Sequence, residues 1–210
     1  MFYNPLTSHH GLPHDPFKGL VVPRPIAWIT SLSSAGILNV APYSHYNIVS
    51  SNPPAIMFAP DSNNSPDKRK DSHRNIEDTG EFVVNIVTAE NCQKMNLTSA
   101  EFGPDVSEAT VAGLSTLPST NVKVPRLADS PIHLECRHVI SLGLPNHGGR
   151  TNRQSIVIGQ VVGIHIDERV MTDGLVDIGK LKPVSRLGYM EYAVVERTFT
   201  MPRPKPGHGP

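Results

Sequence analysis

Residues 22–54 read VPRPIAWITSLSSAGILNVAPYSHYNIVSSNPP, and the fold depends on how this stretch divides. From Pro25 to Ser31 the run is short, apolar and ends in β-branched residues. Ser33-Ser34-Ala35-Gly36 has the chemistry of a turn, and Ile37 to Ala41 resumes an extended pattern, so the two runs predict a β-hairpin. Pro53-Pro54 stops the chain, and Ala55 to Ala59 gives another short apolar run. The polar residues from Pro60 to Lys68 read as a loop.

Further out, the same short elements repeat. Asp67 or Asp71 is placed to cap a helix reaching about Asp78, with Gly80 just past its end. Glu81 to Val87 (EFVVNIV) predicts a strand, and Thr88 is placed to cap a second helix to about Leu97. In Ile132 to Leu142, Ile132, Leu134, Cys136, His138, Ile140 and Leu142 share one strand face, with Glu135, Arg137 and Ser141 on the other. Asn146 to Arg153 is a polar connection. Ser155 to Ile166 is β-branched, and Gly159 and Gly163 mark expected bulges. A last strand is expected over Tyr189 to Thr200.

Phe102 to Pro131 has no sustained period and is broken by prolines, which predicts a long excursion over the surface. Its Leu114, Leu117, Val122, Val124 and Leu127 need a surface to cover: a neighbouring subunit is the expected one, the chain's own barrel the alternative. Twenty prolines and 16 glycines against six phenylalanines and one tryptophan suit many short elements, a barrel rather than a helical bundle. The expected organisation is an N-terminal extension over 1–16, one domain over 17–200 and a Pro-rich tail over 201–210.

Lys plus Arg and Asp plus Glu both number 19, so no net charge argues for nucleic acid as partner. No run approaches the roughly 20 apolar residues that span a bilayer. Met1 to His14 lacks the basic start and apolar run of a secretory signal. Cys92 and Cys136 are too isolated for a disulfide or metal pair. A cytoplasmic protein is expected. His9, His10 and His14 match no ligand face, and His133 and His138 lie on opposite faces of one strand, so no metal site is expected.

Neither G-x-G-x-x-G nor G-x-x-x-x-G-K-[ST] occurs, and there is no G-x-S-x-G elbow. What stands out is a polar cluster in the first third. Thr30 and Ser31 close the first strand, Asn39 to Ser44 (NVAPYS) ends the second, and Ser50-Ser51-Asn52-Pro53-Pro54 follows. Small hydroxyl residues beside proline leave backbone N–H groups free for a flat ligand with donors and acceptors along its edge, such as a flavin. Taken singly, each is more often an ordinary turn. Arg69-Lys70-Asp71-Ser72-His73-Arg74-Asn75 puts cations and a hydroxyl at a helix start, where an anion is favoured, although a solvated helix end is the commoner fate of such a run.

The 22–54 stretch, KDSHRNIEDTGEFVVNI at 70–86 and RLGYMEY at 186–192 together resemble the flavin-reductase-like, FMN-binding split-barrel family. The similarity runs from about Phe17 to Thr200. Ser72 stands where the family usually has Thr, and Arg-Leu-Gly-Tyr where it usually has Arg-Leu-Gly-Gly. The resemblance implies a mainly β protein: a six-stranded antiparallel Greek-key split β-barrel with a few short helices and long loops. It further implies a homodimer holding FMN in an interface groove. On this resemblance Thr30, Ser31, Asn39, Ala41 and Ser44 line the flavin ring and ribityl chain. Ser50, Ser51 and Asn52 meet the ribityl or phosphate region, Arg69, Lys70, Asp71 and Ser72 the phosphate, and Arg24 is a further phosphate candidate.

The implied activity is an NAD(P)H-dependent flavin reductase supplying a monooxygenase partner. NADH or NADPH would stack on the flavin and pass it a hydride, with no catalytic protein acid or base required. The alternatives are an FMN electron carrier or redox sensor without nicotinamide turnover, and a barrel binding some other ligand.

Overall fold

In the computed structural model, residues 1–5, 7, 9–60, 69–144 and 154–204 are described. Seven strands pair antiparallel in one sheet: β1 (Ala27–Leu32), β2 (Leu38–Tyr43), β3 (Tyr46–Ser51), β4 (Pro54–Phe58), β5 (Glu81–Ile86), β6 (Ile132–Gly143) and β7 (Ser155–Ile166). Their order is β2-β1-β5-β6-β7-β4-β3. Only Ser44 and His45 separate the two edge strands along the chain, so the sheet rolls up as a split barrel. The expected hairpin is β1–β2, with Ala27 opposite Tyr43 and Leu32 opposite Leu38.

The strand count corrects the expected six. β3 is an edge strand, mostly exposed and without apolar alternation, so its residues carry no sheet pattern. The expected strand over Tyr189–Thr200 shrinks to Tyr192–Val194, in a separate sheet with Arg24–Pro25 and Val184–Arg186. The predicted loop over Pro60–Lys68 from residue 61 on, the connection Asn146–Arg153, and the tail from residue 205 lie outside the described residues.

Period-two alternation builds the interior. Ala27 and Ile29 of β1, Ile56 and Phe58 of β4, Phe82 and Val84 of β5, Cys136 of β6 and Val157 of β7 form one buried cluster. Helix α1 (Asp71–Thr79) closes it with Ile76. Lys70, not an aspartate, is the N-cap of α1, and Gly80 ends the helix at φ 75°, a left-handed turn that glycine adopts freely. Helix α2 (Cys92–Leu97) starts later than expected: Asn91 is its N-cap, and the Asn91 Oδ1 accepts from the Thr88 backbone N–H at 2.8 Å. The bulges fall where the two glycines predicted them, with register shifts at Ile158/Gly159 and Val161/Gly163. At Gly159 a Cβ would run into the Phe82 ring, so the bulge also makes room for that side chain.

The 102–131 excursion corrects the expected subunit cover. It folds back on its own barrel: Leu127 packs with Trp28 and Val40, and Val122 and Val124 pack over Val83. Buried polar side chains hold it there. Asn85 Nδ2 donates to the Trp28 carbonyl while its Oδ1 accepts from Leu127 N–H, both at 2.8 Å. Glu135 accepts from the backbone N–H groups of Thr120 (2.8 Å) and Asn121 (2.6 Å) and from His165. Both faces of β1 and β5 are therefore covered within one chain. Leu117 of the excursion stays exposed, as do Val106 and Val111, and on the sheet Val139, Ile140 and Leu142 of β6, Ile164 of β7, and Ile48 and Val49 of β3 are exposed. Among the described residues no helix is long and apolar enough to cross a membrane.

Candidate functional site

The free edge of β2 organises the site. Three adjoining clefts meet along it, and Pro42 lines all three. The first, about 310 Å³, lies between the chain's N-terminal turn and the turn before Tyr192; Lys18, Arg24, Lys70 and Arg186 border it, with Asp15 as its one carboxylate. The second, about 630 Å³, runs from Asn39, Ala41 and Tyr43 past Arg69, Lys70 and Asp71 to the wall at Ser99–Phe102. The third, about 340 Å³, opens over Ile26, Met95, Met190 and Tyr192. Ser44 and Arg186 join the first to the third; Tyr43 and Lys70 join the first to the second.

Backbone geometry positions these walls. Arg24 and Arg186 stand opposite each other in an antiparallel pair, which brings two guanidinium groups to one cleft. Gly188 passes Gly19 so closely that a Cβ on it would lie 2.8 Å from the Gly19 Cα. Tyr189 follows at φ 53°, left-handed backbone that a bulky residue occupies at a cost of about 1–2 kcal/mol. This is the position where the resembled family usually carries its second glycine.

Arg24 is buried, and its Nη atoms donate to the carbonyls of Lys18, Val21 (2.6 Å) and Leu187 (2.9 Å), while its Nε has no partner. A buried guanidinium that meets carbonyls but, among the described residues, no carboxylate keeps its positive charge uncompensated, which favours an anion in the cleft.

The remaining expected residues divide clearly. Asn39, Ala41, Ser44, Arg69, Lys70, Asp71 and Arg24 line the clefts. Three of them already have partners of opposite charge: Arg69 meets Glu77, Asp71 meets Arg74, and Lys70 Nζ donates to Glu101 Oε1 at 2.9 Å. Ser31 and Ser72 lie beneath the surface in a buried polar layer. Asn39 Nδ2 donates to Ser72 Oγ at 2.7 Å, and Asn75 Nδ2 to Ser31 Oγ at 3.3 Å. These bonds pin the start of α1 to the β1–β2 hairpin. Thr30 faces the other side of β1, where its hydroxyl donates to the Pro125 carbonyl at 2.8 Å and fastens the excursion. Ser50, Ser51 and Asn52 sit at the β3–β4 turn, with Ser50 Oγ accepting from Asn52 N–H at 3.2 Å, and line none of the three clefts.

Sequence reasoning passed over Glu108, Arg186, Tyr43 and the Ser99–Phe102 wall. Glu108 is buried, lines the second cleft and accepts from Val40 N–H at 2.8 Å, capping the free edge of β2. Burial pushes its carboxyl above the ordinary range; the Val40 bond works against this, and the nearby Asp71 charge adds to it. On α1, burial likewise lowers the imidazole of His73, which contacts Glu77 at 3.2 Å. Among the described residues no group of three or more potential ligands could hold a metal ion.

The donor set fits FMN at the level of chemistry: a cationic cleft whose buried guanidinium has a nitrogen without a partner among the described residues, running into the polar walls along Asn39, Ala41 and Asp71. Comparison with known proteins agrees. A 41% identical relative from Halalkalibacterium halodurans, an uncharacterized protein, aligns over 189 residues, 89% of this chain and 88% of its own. Nitrilotriacetate monooxygenase component B from Bacillus cereus superimposes with a TM-score of 0.87 at 32% identity, covering 96% of this chain and 98% of that one. The 2-nitrobenzoate 2-nitroreductase NbaA of Pseudomonas fluorescens gives 0.78, also at 32% identity, covering 90% and 88%. Residues 19–184 match the model of the flavin reductase like domain, a span that takes in all seven strands and the edge of β2 on which the clefts converge, and the chain belongs to the flavin reductase-like, split-barrel family.

Proposed function

We propose that this protein is an FMN-dependent oxidoreductase that takes hydride from NADH or NADPH. The observation that carries the reading is the buried Arg24, its Nε without a partner, in a cationic cleft continuous with the polar edge of β2. The phosphate of FMN would lie among Arg24, Lys70 and Arg69, and its ring along Asn39–Ser44. When bound, FMN supplies the ring that accepts hydride and hands electrons on. The chain's own part is to bind and orient it: Asn39, held by Ser72, presents a fixed amide edge, and Lys70 offers a charge it now shares with Glu101.

Delivery of reduced flavin to a monooxygenase is supported by the likeness to a protein named as a monooxygenase component. A homodimer is supported by the apolar sheet residues left exposed on a single chain, Val139, Ile140 and Ile164 among them. The two free cysteines suit a cytoplasmic, reducing setting.

Anaerobic mixing with NADH and with NADPH tests the reading. FMN-loaded protein should lose its oxidised-flavin absorbance with at least one of them. Bound FMN that neither nicotinamide bleaches would return the electron-carrier reading. A chain that takes up no FMN would end both.

A further inference from the structure

Arg186 borders the first and third clefts, and among the described residues it meets no carboxylate. Its register opposite Tyr192 lays the guanidinium over that ring, with Cζ 4.4 Å from the centroid. Nη2 donates to the Tyr189 carbonyl and lies 3.8 Å from Met190 Sδ. These contacts fix the plane of the guanidinium without neutralising it. They engage Nη2 and leave Nε and Nη1 with no protein acceptor among the described residues, donors open to an anion.

The third cleft differs from the first in charge: Arg186 is the single charged residue of its lining, Ser44, Asn96 and Ser99 make its polar side, and Ile26, Met95, Met190 and the Tyr192 ring its apolar side. Thioether and aliphatic walls favour a flat apolar body, and one cation matches one negative charge. A phosphate is better served next door, where four cations gather. We propose that the third cleft binds an aromatic carboxylate, its ring against Met95 and Met190 and its carboxylate held by Arg186. The inference rests on the flavin reading only in its location: the cleft shares Pro42 and Ser44 with the proposed cofactor groove, so a bound ring would lie beside the flavin.

Calorimetric titration of the full chain with benzoate, with and without FMN, is the test. Benzoate should bind saturably, with acetate and benzyl alcohol at least tenfold weaker. Arg186→Met should weaken benzoate at least tenfold, and Arg186→Lys, which keeps the charge but loses the fork, should recover only part. Equal benzoate binding by the wild type and Arg186→Met would overturn the assignment. So would acetate binding as well as benzoate, or an Arg186→Met variant that loses FMN but keeps benzoate. Flavin absorbance in the same samples separates the two readings. Wild type that takes FMN but no benzoate sinks this inference alone. Wild type that takes benzoate but no FMN sinks the flavin reading and leaves the cleft.

Discussion

Replacing His133 by Gln should remove a specific part of the acid sensitivity of this fold. His133 sits on β6 under the excursion and is 3% exposed. Its Nε2 donates to the Leu127 carbonyl at 2.8 Å, which leaves Nδ1 as the acceptor facing Arg126 Nη1 at 3.3 Å. A second proton would have to enter on Nδ1, directly against a guanidinium. Burial is the main cause that pushes the imidazole down to about 4; the Leu127 carbonyl opposes it, while Arg126 and His165 add to it. In the unfolded chain the group titrates near 6.5. Between those values the unfolded state binds the extra proton and the folded state does not, so stability rises with pH and is lost as pH falls below about 6.5. From pH 7.5 to 5.0 that one histidine should cost the wild type about 2 kcal/mol. His133→Gln keeps a donor for Leu127 and an acceptor for Arg126 but cannot titrate. Urea denaturation of both proteins at the two pH values measures the difference. Buried His73 shifts in the same direction but is common to both proteins and cancels. Equal losses for the wild type and the variant would refute the reasoning.

Lys70→Ala should weaken FMN binding by about 1–3 kcal/mol, the worth of a hydrogen bond to a charged group, as read by flavin fluorescence titration. Glu101→Gln should act in the opposite direction: it releases Lys70 from an exposed pair worth about 0.2–1 kcal/mol, so FMN should bind a few-fold tighter. Gly159→Ala should destabilise by about 1–3 kcal/mol, because its Cβ meets the buried Phe82 ring, and adding Phe82→Leu should make that step milder in a denaturation cycle. Light scattering across a dilution series should show a dimer at micromolar protein, more persistent when FMN is present; a monomer that still holds FMN tightly would rule out an interface-built cofactor site.

Strands with strong local pattern are legible in the sequence itself. The β1–β2 hairpin, EFVVNI and the long β6–β7 pair carry their own periodicity, and Gly159 and Gly163 announce their bulges. β3 is hidden because an exposed edge strand has no apolar face to display. The excursion is hidden for another reason: Leu127 and Val124 are buried by partners far along the chain, and Asn85 and Glu135, which tether it, look like ordinary strand residues in sequence. Of the polar site residues, those on the free edge of β2 or just before α1 line the clefts. Thr30 and Ser31 face opposite sides of one strand, and only the packing reveals that both sides are covered. Arg186 opens the RLGYMEY motif, yet its meaning depends on Tyr192 across the strand pair.

The contact between Gly19 and Gly188, with Arg24 donating to the Leu187 carbonyl, joins the chain's early and late residues. Every strand of the barrel has been synthesised once Ile166 is in place, but the first and third clefts still lack a wall. That wall, Arg186 to Tyr192, comes some twenty residues later. The same late residues also complete the interior: Leu181 and Val184 are buried, Val184 in one cluster with Ile26 and Trp28, so a chain cut after Ile166 would lose part of its core together with the wall that faces Arg24.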